Sequence, residues 1–252
     1  MAAHSESKPM IIVNADDWGR SVAETDAALA CHLNRRITSV TAMAFMPDSD
    51  RAAELAMTHG IETGLHLNFS QPFSAGATPA RVVARQERVC SFINAHKYAF
   101  LLYNPMLRRD FFYTYQAQID EFYRLYRRLP SHVDGHRHKH LCANVLLDDV
   151  IPAGAKLRRN FFFWPGEKGH VNRAYRKLTD HLLARRYRLT DYFFALSQCL
   201  QGDRLRKVLQ LARTHCVELM THPASVVERE CLMSDSYMSL LTPLERGTYS
   251  SL

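Results

Sequence analysis

Short apolar runs alternate with stretches of helical spacing over the first 70 residues of the chain. Residues 10–15 form an apolar run with three β-branched side chains, which predicts a buried strand. Residues 37–45 and 62–69 predict two more strands, and residues 22–34 and 49–59, which lie between these runs, predict helices. This order of strand, helix, strand, helix and strand indicates a parallel sheet with covering helices.

The later part of the chain continues with the same kinds of element and contains no internal repeat or low-complexity linker. The predicted segments are a loop at 70–80, a mostly helical, aromatic-rich stretch at 80–129, a strand end and loop at 132–140, a helix at 142–151, a strand at 156–163, helices at 173–186 and 202–215, and a strand at 216–221. We therefore expect one α/β domain over residues 10–252, preceded by a disordered tail at residues 1–9.

Composition fits an α/β domain that folds around one sizeable core. The chain has 252 residues, of which 47% are apolar. The polar first nine residues lack the apolar stretch of a signal peptide, and no run of 18 apolar residues predicts a transmembrane helix. Six scattered cysteines without a C-x-x-C pair indicate free thiols. Together these features favour a cytoplasmic protein.

Basic residues exceed acidic ones, which gives a formal net charge of +7. Solvated helix faces would explain the excess, but a surface for an anionic partner is the sharper interpretation. That partner would be a phosphate-bearing substrate, an anionic membrane face or a nucleic acid. No nucleic-acid-binding motif accompanies the charge, so a nucleic-acid partner is not expected. The basic clusters lie at 108–109, 127–128, 156–159, 173–177, 185–188 and 204–207.

Candidate chemistry is densest in one run of nine residues, where four histidines and an aspartate alternate with other residues. In an extended chain, side chains two positions apart point to the same side. The run therefore predicts metal-binding and proton-transferring groups aimed into one cleft. Same-face positions lie about 7 Å apart along a strand, so only one or two of these side chains can bind a single ion. The five residues are His132, Asp134, His136, His138 and His140.

Three further segments place reactive side chains at or near the carboxyl end of a predicted strand. Asp16 and Asp17 follow the first strand, His66 lies in the third, and His222 follows the strand at 216–221. In parallel α/β folds this edge of the sheet carries the chemistry. One carboxylate with two imidazoles forms an open divalent-metal site, which lowers the pKa of a bound water and polarises a carbonyl. The residues thus indicate hydrolysis of an amide or ester.

In these segments the chain resembles the YdjC/ChbG family of carbohydrate deacetylases, which includes hopanoid-cluster relatives. The matching motifs span most of the chain, and their combination and order are specific to the family. They are Ile12-Val13-Asn14-Ala15-Asp16-Asp17-Trp18-Gly19, Thr38-Ser39, Gly64-Leu65-His66-Leu67-Asn68, the His132-to-His140 run, Leu157-Arg158, and Glu218-x-Met220-x-His222-Pro223. The resemblance implies a (β/α)-barrel-like fold with its active site at the carboxyl edge of the strands, and metal-dependent removal of an acetyl group from an N-acetylated amino sugar.

The resemblance also implies a role for each matching residue. It makes the side chains of Asp17, His66 and His136 the metal ligands, although the residues themselves leave the choice between Asp16 and Asp17 open. The catalytic roles fall on Asp16 as general base, on His222 as general acid or charge stabiliser, and on Arg158, which would orient the base or the substrate. Substrate contacts are expected from Asp134, His138, Asn68 and Trp18.

Two other functions would use the same site residues. One is a metal-dependent phosphoesterase, and the other is a non-catalytic sugar-binding module. Mixed nitrogen and carboxylate ligands lean towards Zn²⁺, whereas the family resemblance leans towards Mg²⁺. The basic surface adds the hypothesis that the substrate is an anionic, lipid-linked glycan reached at the inner membrane face, and the aromatic stretch at 111–126 could supply a homodimer face.

Overall fold

A computed structural model describes residues 8–76 and 78–252, and this part of the chain contains six strands and nine helices. The strands are β1 (Met10–Trp18), β2 (Ser39–Ala42), β3 (Glu62–Leu67), β4 (Val133–Gly135), β5 (Tyr192–Ala195) and β6 (Cys216–Thr221). The helices are α1 (Val22–Leu33), α2 (Ser49–Thr58), α3 (Ala80–Asn94), α4 (Arg108–Tyr126), α5 (Ala143–Leu147), α6 (His170–Ala184), α7 (Arg204–Leu211), α8 (Val226–Met233) and α9 (Asp235–Leu241).

The strands form a sheet in the order β4-β3-β2-β1-β6-β5. Parallel pairing joins β1 to β6, where Met10 lies opposite Cys216, and it also joins β5 to β6 and β3 to β4. Every residue of β1 and β6 is buried, as expected for parallel strands covered on both faces. The fold is α/β and (β/α)-barrel-like, which confirms the predicted class.

Most predicted elements are present, and the errors concentrate after residue 150. The predicted strand at 156–163 is wrong, because this segment contributes only an isolated bridge between Lys156 and Arg188. A strand that the pattern missed, β5, lies instead at Tyr192–Ala195 and pairs with β6. Its four residues are too few to show a period, so only pairing with a neighbour defines it. Helices α8 and α9 were also missed.

The chain divides into two compact units, and both β1 and β2 run from one unit into the other. Of the described residues, the first unit comprises 8–15, 27–39 and 154–252, and the second comprises 16–26, 40–76 and 78–153. The prediction of a single domain over residues 10–252 stays a prediction. Of the tail predicted at residues 1–9, residues 1–7 lie outside the described part of the chain, and residues 8 and 9 are exposed.

In the second unit, the long helical stretch resolves into α3 and α4, which pack against each other. The buried amide of Gln118 on α4 accepts a hydrogen bond from the Asn68 backbone N–H at 2.7 Å, and so fixes the loop that follows β3. Phe69 and Phe111 meet edge to face beneath this loop, with ring centroids 5.0 Å apart. Among the described helices, none combines the length and apolar character needed to cross a membrane.

Candidate metal centre

The carboxyl end of β1 carries two adjacent aspartates that are almost completely buried. Asp16 is 3% exposed and Asp17 is 6% exposed. Asp17 has a φ of +66°, in the left-handed region that aspartate tolerates better than most residues. The left-handed backbone at Asp17 interrupts the alternation of side chains between the two faces of β1. A buried, strained carboxylate at a strand end is characteristic of a functional position.

Two histidines from separate segments meet Asp17. His136 Nδ1 lies 3.0 Å from Asp17 Oδ1, and His66 Nε2 lies 3.4 Å from the same oxygen. The two imidazole rings stand edge to face with their centroids 5.5 Å apart. One nitrogen of each histidine and one carboxylate oxygen of Asp17 all lie within 4.8 Å of one another. The structure therefore brings together the three residues predicted as metal ligands.

A second carboxylate holds His66 from its other side. His66 Nδ1 lies 2.7 Å from Asp134 Oδ1, and β3 and β4 set this contact because His66 and Asp134 are partners in the parallel register. The hydroxyl of Thr41 donates to Asp134 Oδ2 at 3.0 Å and lies 3.4 Å from Asp16 Oδ1. With Nδ1–H donated to Asp134, His66 Nε2 is directed at Asp17, and loss of its proton would leave a lone pair there for a cation. Such carboxylate–histidine pairs orient metal ligands in proteins.

Local electrostatics favour a positive charge between these carboxylates. Burial would lower the pKa of His66, but the charges of Asp134 and Asp16 and its hydrogen bonds raise that pKa to about 10. Burial would likewise raise the pKa of Asp17, but hydrogen bonds from His136 and His66 hold it below its ordinary value. Burial lowers the pKa of His136, which keeps this imidazole neutral and able to act as a ligand.

The residues fit a divalent cation. His136 Nε2 is buried and has no hydrogen-bond partner within residues 8–76 and 78–252, which is costly unless a ligand satisfies it. Carboxylate oxygen and imidazole nitrogen are donors that zinc and other divalent ions accept. Asp16, His66 and Asp134 form an alternative set. It would require His66 to give up the 2.7 Å contact with Asp134, so the set built on Asp17 is favoured.

The strand end and loop predicted at 132–140 are confirmed, and the histidine run is extended only as far as the end of β4. Strand β4 ends at Gly135, and a 3-10 turn follows at His136–Leu141 in which Arg137 and His138 have left-handed φ values of +53° and +57°. The alternation therefore stops after Asp134 and His136, the two members that reach the cluster. A Cβ on Gly135 would lie 2.8 Å from the backbone nitrogen of His140, so glycine permits the tight packing of this turn.

The structure adds two side chains that the sequence analysis missed. Arg20 Nη1 lies 3.1 Å from Asp17 Oδ2 and 3.5 Å from a carboxylate oxygen of Glu24. The Thr41 hydroxyl contacts the carboxylates of both Asp16 and Asp134. Arg20 lies three residues after Asp17, and this short separation in the sequence could have suggested the contact. Thr41 offered none, because threonine is an ordinary residue in a strand.

Two residues predicted to contact the substrate, Asn68 and Trp18, are buried in the second unit. Asn68 accepts hydrogen bonds from the backbone N–H groups of Ser70 and Gln71, and its amide donates to the Gln71 carbonyl at 2.8 Å. The fully buried indole of Trp18 donates to the Ala52 carbonyl at 3.1 Å. Their contacts in the structure stabilise the loop and the core, and contact with a substrate stays a prediction, as it does for half-buried His138.

Residues predicted to be catalytic also lie in the first unit. The backbone N–H of His222 donates to the buried carboxylate of Glu228 at 2.7 Å, and its Nδ1 lies 3.8 Å from the other oxygen of that carboxylate. The His222 side chain is 38% exposed, which leaves it open to exchange protons with solvent. Glu228, on α8, was not predicted because it lies six residues away in a helix that the pattern missed.

Arg158 occupies a different environment in the same unit. Its guanidinium is fully buried and donates from Nε and Nη2 to Glu218 Oε1, both at 2.8 Å. Glu218 Oε2 accepts a hydrogen bond from the Tyr249 hydroxyl at 2.6 Å. The guanidinium also lies 5.0 Å from the centre of the Phe193 ring. These contacts give Arg158 a structural role, and its predicted catalytic role stays a prediction.

Comparison with known proteins identifies the family. Residues 10–245 match the YdjC-like protein family. The chain is 29% identical to a mouse protein named carbohydrate deacetylase over 84% of this chain and 77% of that protein, and 30% identical to a carbohydrate deacetylase of Vibrio cholerae over 86% and 79%. It is 26% identical to a chitooligosaccharide deacetylase of Proteus mirabilis over 96% and 92%.

A solved structure supports the fold. It belongs to an Enterococcus faecalis protein described as a candidate cellobiose-phosphate cleavage protein, and it matches with a TM-score of 0.64 over 97% of this chain and 99% of that chain. At 18% identity this likeness concerns the fold alone. The family match extends over the β1 aspartates, His66 and the His132-to-His140 run, which are the segments that build the buried cluster. The chain belongs to the YdjC-like protein family.

Proposed function

We propose that this protein is a metal-dependent hydrolase that removes the acetyl group from an N-acetylated amino sugar. The observation that carries the proposal is the buried meeting of Asp17, His66 and His136, with one donor atom from each within 4.8 Å. The names of the family relatives, carbohydrate and chitooligosaccharide deacetylase, supply the bond and the substrate class. The reaction cleaves a carbon–nitrogen amide bond with water and releases acetate.

The three proposed ligands differ in charge and in protonation. Asp17 contributes the negative charge, and the imidazoles of His66 and His136 would contribute nitrogen lone pairs, in the case of His66 after a cation displaces the proton from Nε2. A divalent cation bound there would supply Lewis-acid polarisation of the amide carbonyl and make water acidic enough to ionise near neutral pH. Asp134 fixes the ring of His66 through Nδ1, so that Nε2 remains directed at Asp17. The geometry favours Asp17 over Asp16 as the ligand.

Asp16 is then the proposed general base. Its carboxylate is buried beside the cluster, with Oδ2 3.9 Å from His66 Nδ1 and Oδ1 3.4 Å from the Thr41 hydroxyl. The Thr41 hydroxyl contacts the carboxylate from one side, and we assign to Asp16 the acceptance of a proton from an attacking water. Protonation of the leaving amine is assigned to His222, whose exposed ring near the Glu228 carboxylate can hold the required proton.

Replacing Asp134 by asparagine is expected to weaken divalent-metal binding by about 10–100-fold, the usual effect of removing the partner of a ligating histidine. The amide cannot accept the His66 proton as strongly, so the tautomer that presents Nε2 becomes less favoured. Isothermal titration calorimetry with Zn²⁺ or Mg²⁺ measures the change. Unchanged affinity in a folded Asp134→Asn variant would contradict the proposed support of His66.

The proposed reaction is tested by acetate release from N-acetylglucosamine oligosaccharides. We expect release by the protein as purified, loss after treatment with a chelator, and recovery when Mg²⁺ or Zn²⁺ is added back to the chelated protein. The metal that restores turnover at the lower concentration identifies the cofactor. Release of phosphate without acetate from a matched panel of sugar phosphates would assign a phosphoesterase, and sugar binding without turnover would assign a binding module.

The finer identity of the substrate is part of the same proposal. The net charge of +7 supports an anionic, lipid-linked glycan, which the enzyme would meet in the cytoplasm at the inner membrane face. The Michaelis constant for such a substrate should then rise steeply with salt. A homodimer through residues 111–126 stays a prediction, since Phe111 and Tyr115 are buried within the second unit while Phe112 and Tyr123 are exposed.

A further inference from the structure

Helix α6, in the first unit, presents a continuous stripe of exposed apolar side chains. Val171, Tyr175, Leu178 and Leu182 follow one another at spacings of four, three and four residues, so they lie on one face of the helix. They are 86%, 39%, 60% and 53% exposed, respectively. Thr179 and Leu183, which are buried, attach a different face of the same helix to the unit. The four side chains of the stripe therefore contribute little to packing the helix against the unit.

The segment that carries this stripe is strongly basic. Residues 168–188 contain seven lysines and arginines and a single acidic residue, Asp180. This short segment thus has six net positive charges, while the whole chain has a formal net charge of +7. A helix that combines an exposed apolar stripe with dense basic charge is typical of helices that lie in the interface of an anionic membrane.

A cavity of about 630 Å³ opens along the basic side of α6. Its walls combine the rings of residues 161–163 with the helix side chains Arg173, Arg176 and Lys177. Lys168 and Arg176 lie 5.1 and 5.0 Å from the centre of the Phe163 ring, which places ammonium and guanidinium groups directly against aromatic surface. Apolar walls edged by cations suit the phosphate and adjoining hydrocarbon of an anionic lipid.

We propose that α6 is a membrane-docking helix that binds an anionic phospholipid surface, with its apolar stripe inserted among the lipids and its cations on their phosphates. A second copy of this chain fits the surface poorly, because two such helices would bring like charges together. A nucleic acid would use the cations but would leave the exposed leucines without a partner. The inference goes beyond the proposed hydrolysis and does not depend on it.

Co-sedimentation with vesicles tests this surface in the full-length protein. We expect binding to vesicles of phosphatidylcholine mixed with phosphatidylglycerol, little binding to phosphatidylcholine alone, and a steep loss of binding as salt is raised. The double variant Leu178→Gln/Leu182→Gln should lower the apparent affinity about 10-fold or more, because each inserted leucine loses its apolar environment. The double variant Arg173→Gln/Lys177→Gln should have a similar effect through lost charge.

Matched controls separate the helix from general properties of the protein. Leu129 and Leu147 are 67% and 68% exposed elsewhere, and their double replacement by glutamine should leave vesicle binding unchanged. Lys207→Gln/Arg213→Gln removes the same charge outside residues 168–188, and it should cause a smaller loss than the α6 charge variant. Acetate release from a soluble oligosaccharide should be the same in all four variants and the parent, so failure of docking is distinguishable from failure of the proposed reaction.

Three results would overturn the docking proposal. The first is equal binding to neutral and anionic vesicles, or to neither. The second is an equal loss of vesicle binding in the α6 variants and their controls. The third is a dimer in analytical ultracentrifugation that the Leu178→Gln/Leu182→Gln change dissociates, which would assign the stripe to a second copy of the chain.

Discussion

Asp17→Asn should abolish stoichiometric binding of a divalent metal and lower kcat/KM for acetate release by more than about 100-fold, beyond the usual effect of losing a supporting residue. The change is nearly isosteric, but it removes the carboxylate whose Oδ1 lies 3.0 Å from His136 Nδ1 and 3.4 Å from His66 Nε2. Without its negative charge, two imidazoles remain in a buried site, and they hold a divalent cation poorly. Calorimetric titration with metal and an acetate assay measure the two effects separately.

A matched variant controls for the loss of an aspartate. Asp120 is exposed on α4 and accepts a hydrogen bond from Gln116, so Asp120→Asn should bind metal and release acetate like the parent. Far-ultraviolet circular dichroism should show the same helix content in both variants. If a folded Asp17→Asn protein retains its metal and its turnover, the ligand set proposed here is wrong, and Asp16 with Asp134 becomes the alternative.

Arg158→Met should destabilise the protein by about 3–5 kcal/mol, the usual cost of removing one member of a buried ion pair. Both Arg158 and Glu218 are fully buried, and the substitution removes the two 2.8 Å contacts that the guanidinium makes with Glu218 Oε1. Denaturant unfolding at neutral pH measures the free energy difference. The comparison is made with metal in excess, so that occupancy of the proposed metal site is the same in both proteins.

The double variant Arg158→Met/Glu218→Met provides the control, because replacing both members with apolar side chains also removes the buried carboxylate that has lost its arginine. It should unfold at a free energy much closer to that of the parent than Arg158→Met does. Acetate release per folded molecule in the double variant then tests the catalytic prediction for Arg158. Full turnover would limit this arginine to a structural role, whereas a loss of kcat in a stable protein would support its part in the reaction.

Much of the fold could be predicted from the sequence because its elements show either a helical period or a bounded apolar run. The buried strands at the start of the chain and at 216–221 are short apolar runs, and the two helices that follow the first strand have helical spacing. The error at 156–163 has the opposite cause. This aromatic and basic segment has strand-forming residues, but pairing goes to the four-residue strand β5 instead, and pairing is a property of neighbours rather than of the segment.

The sequence by itself determined the inventory of the site: which residue types are present, and that Asp17, His66 and His136 lie at or near the carboxyl ends of strands that share one edge. Only the tertiary structure decided how they are used. The left-handed backbone at Asp17, Arg137 and His138 breaks the alternation that would have separated the histidines along a strand. The parallel register of β3 and β4 then sets Asp134 beside His66. A sequence pattern describes each segment along its own axis, whereas a metal site requires donor atoms from several segments to converge within a few ångströms.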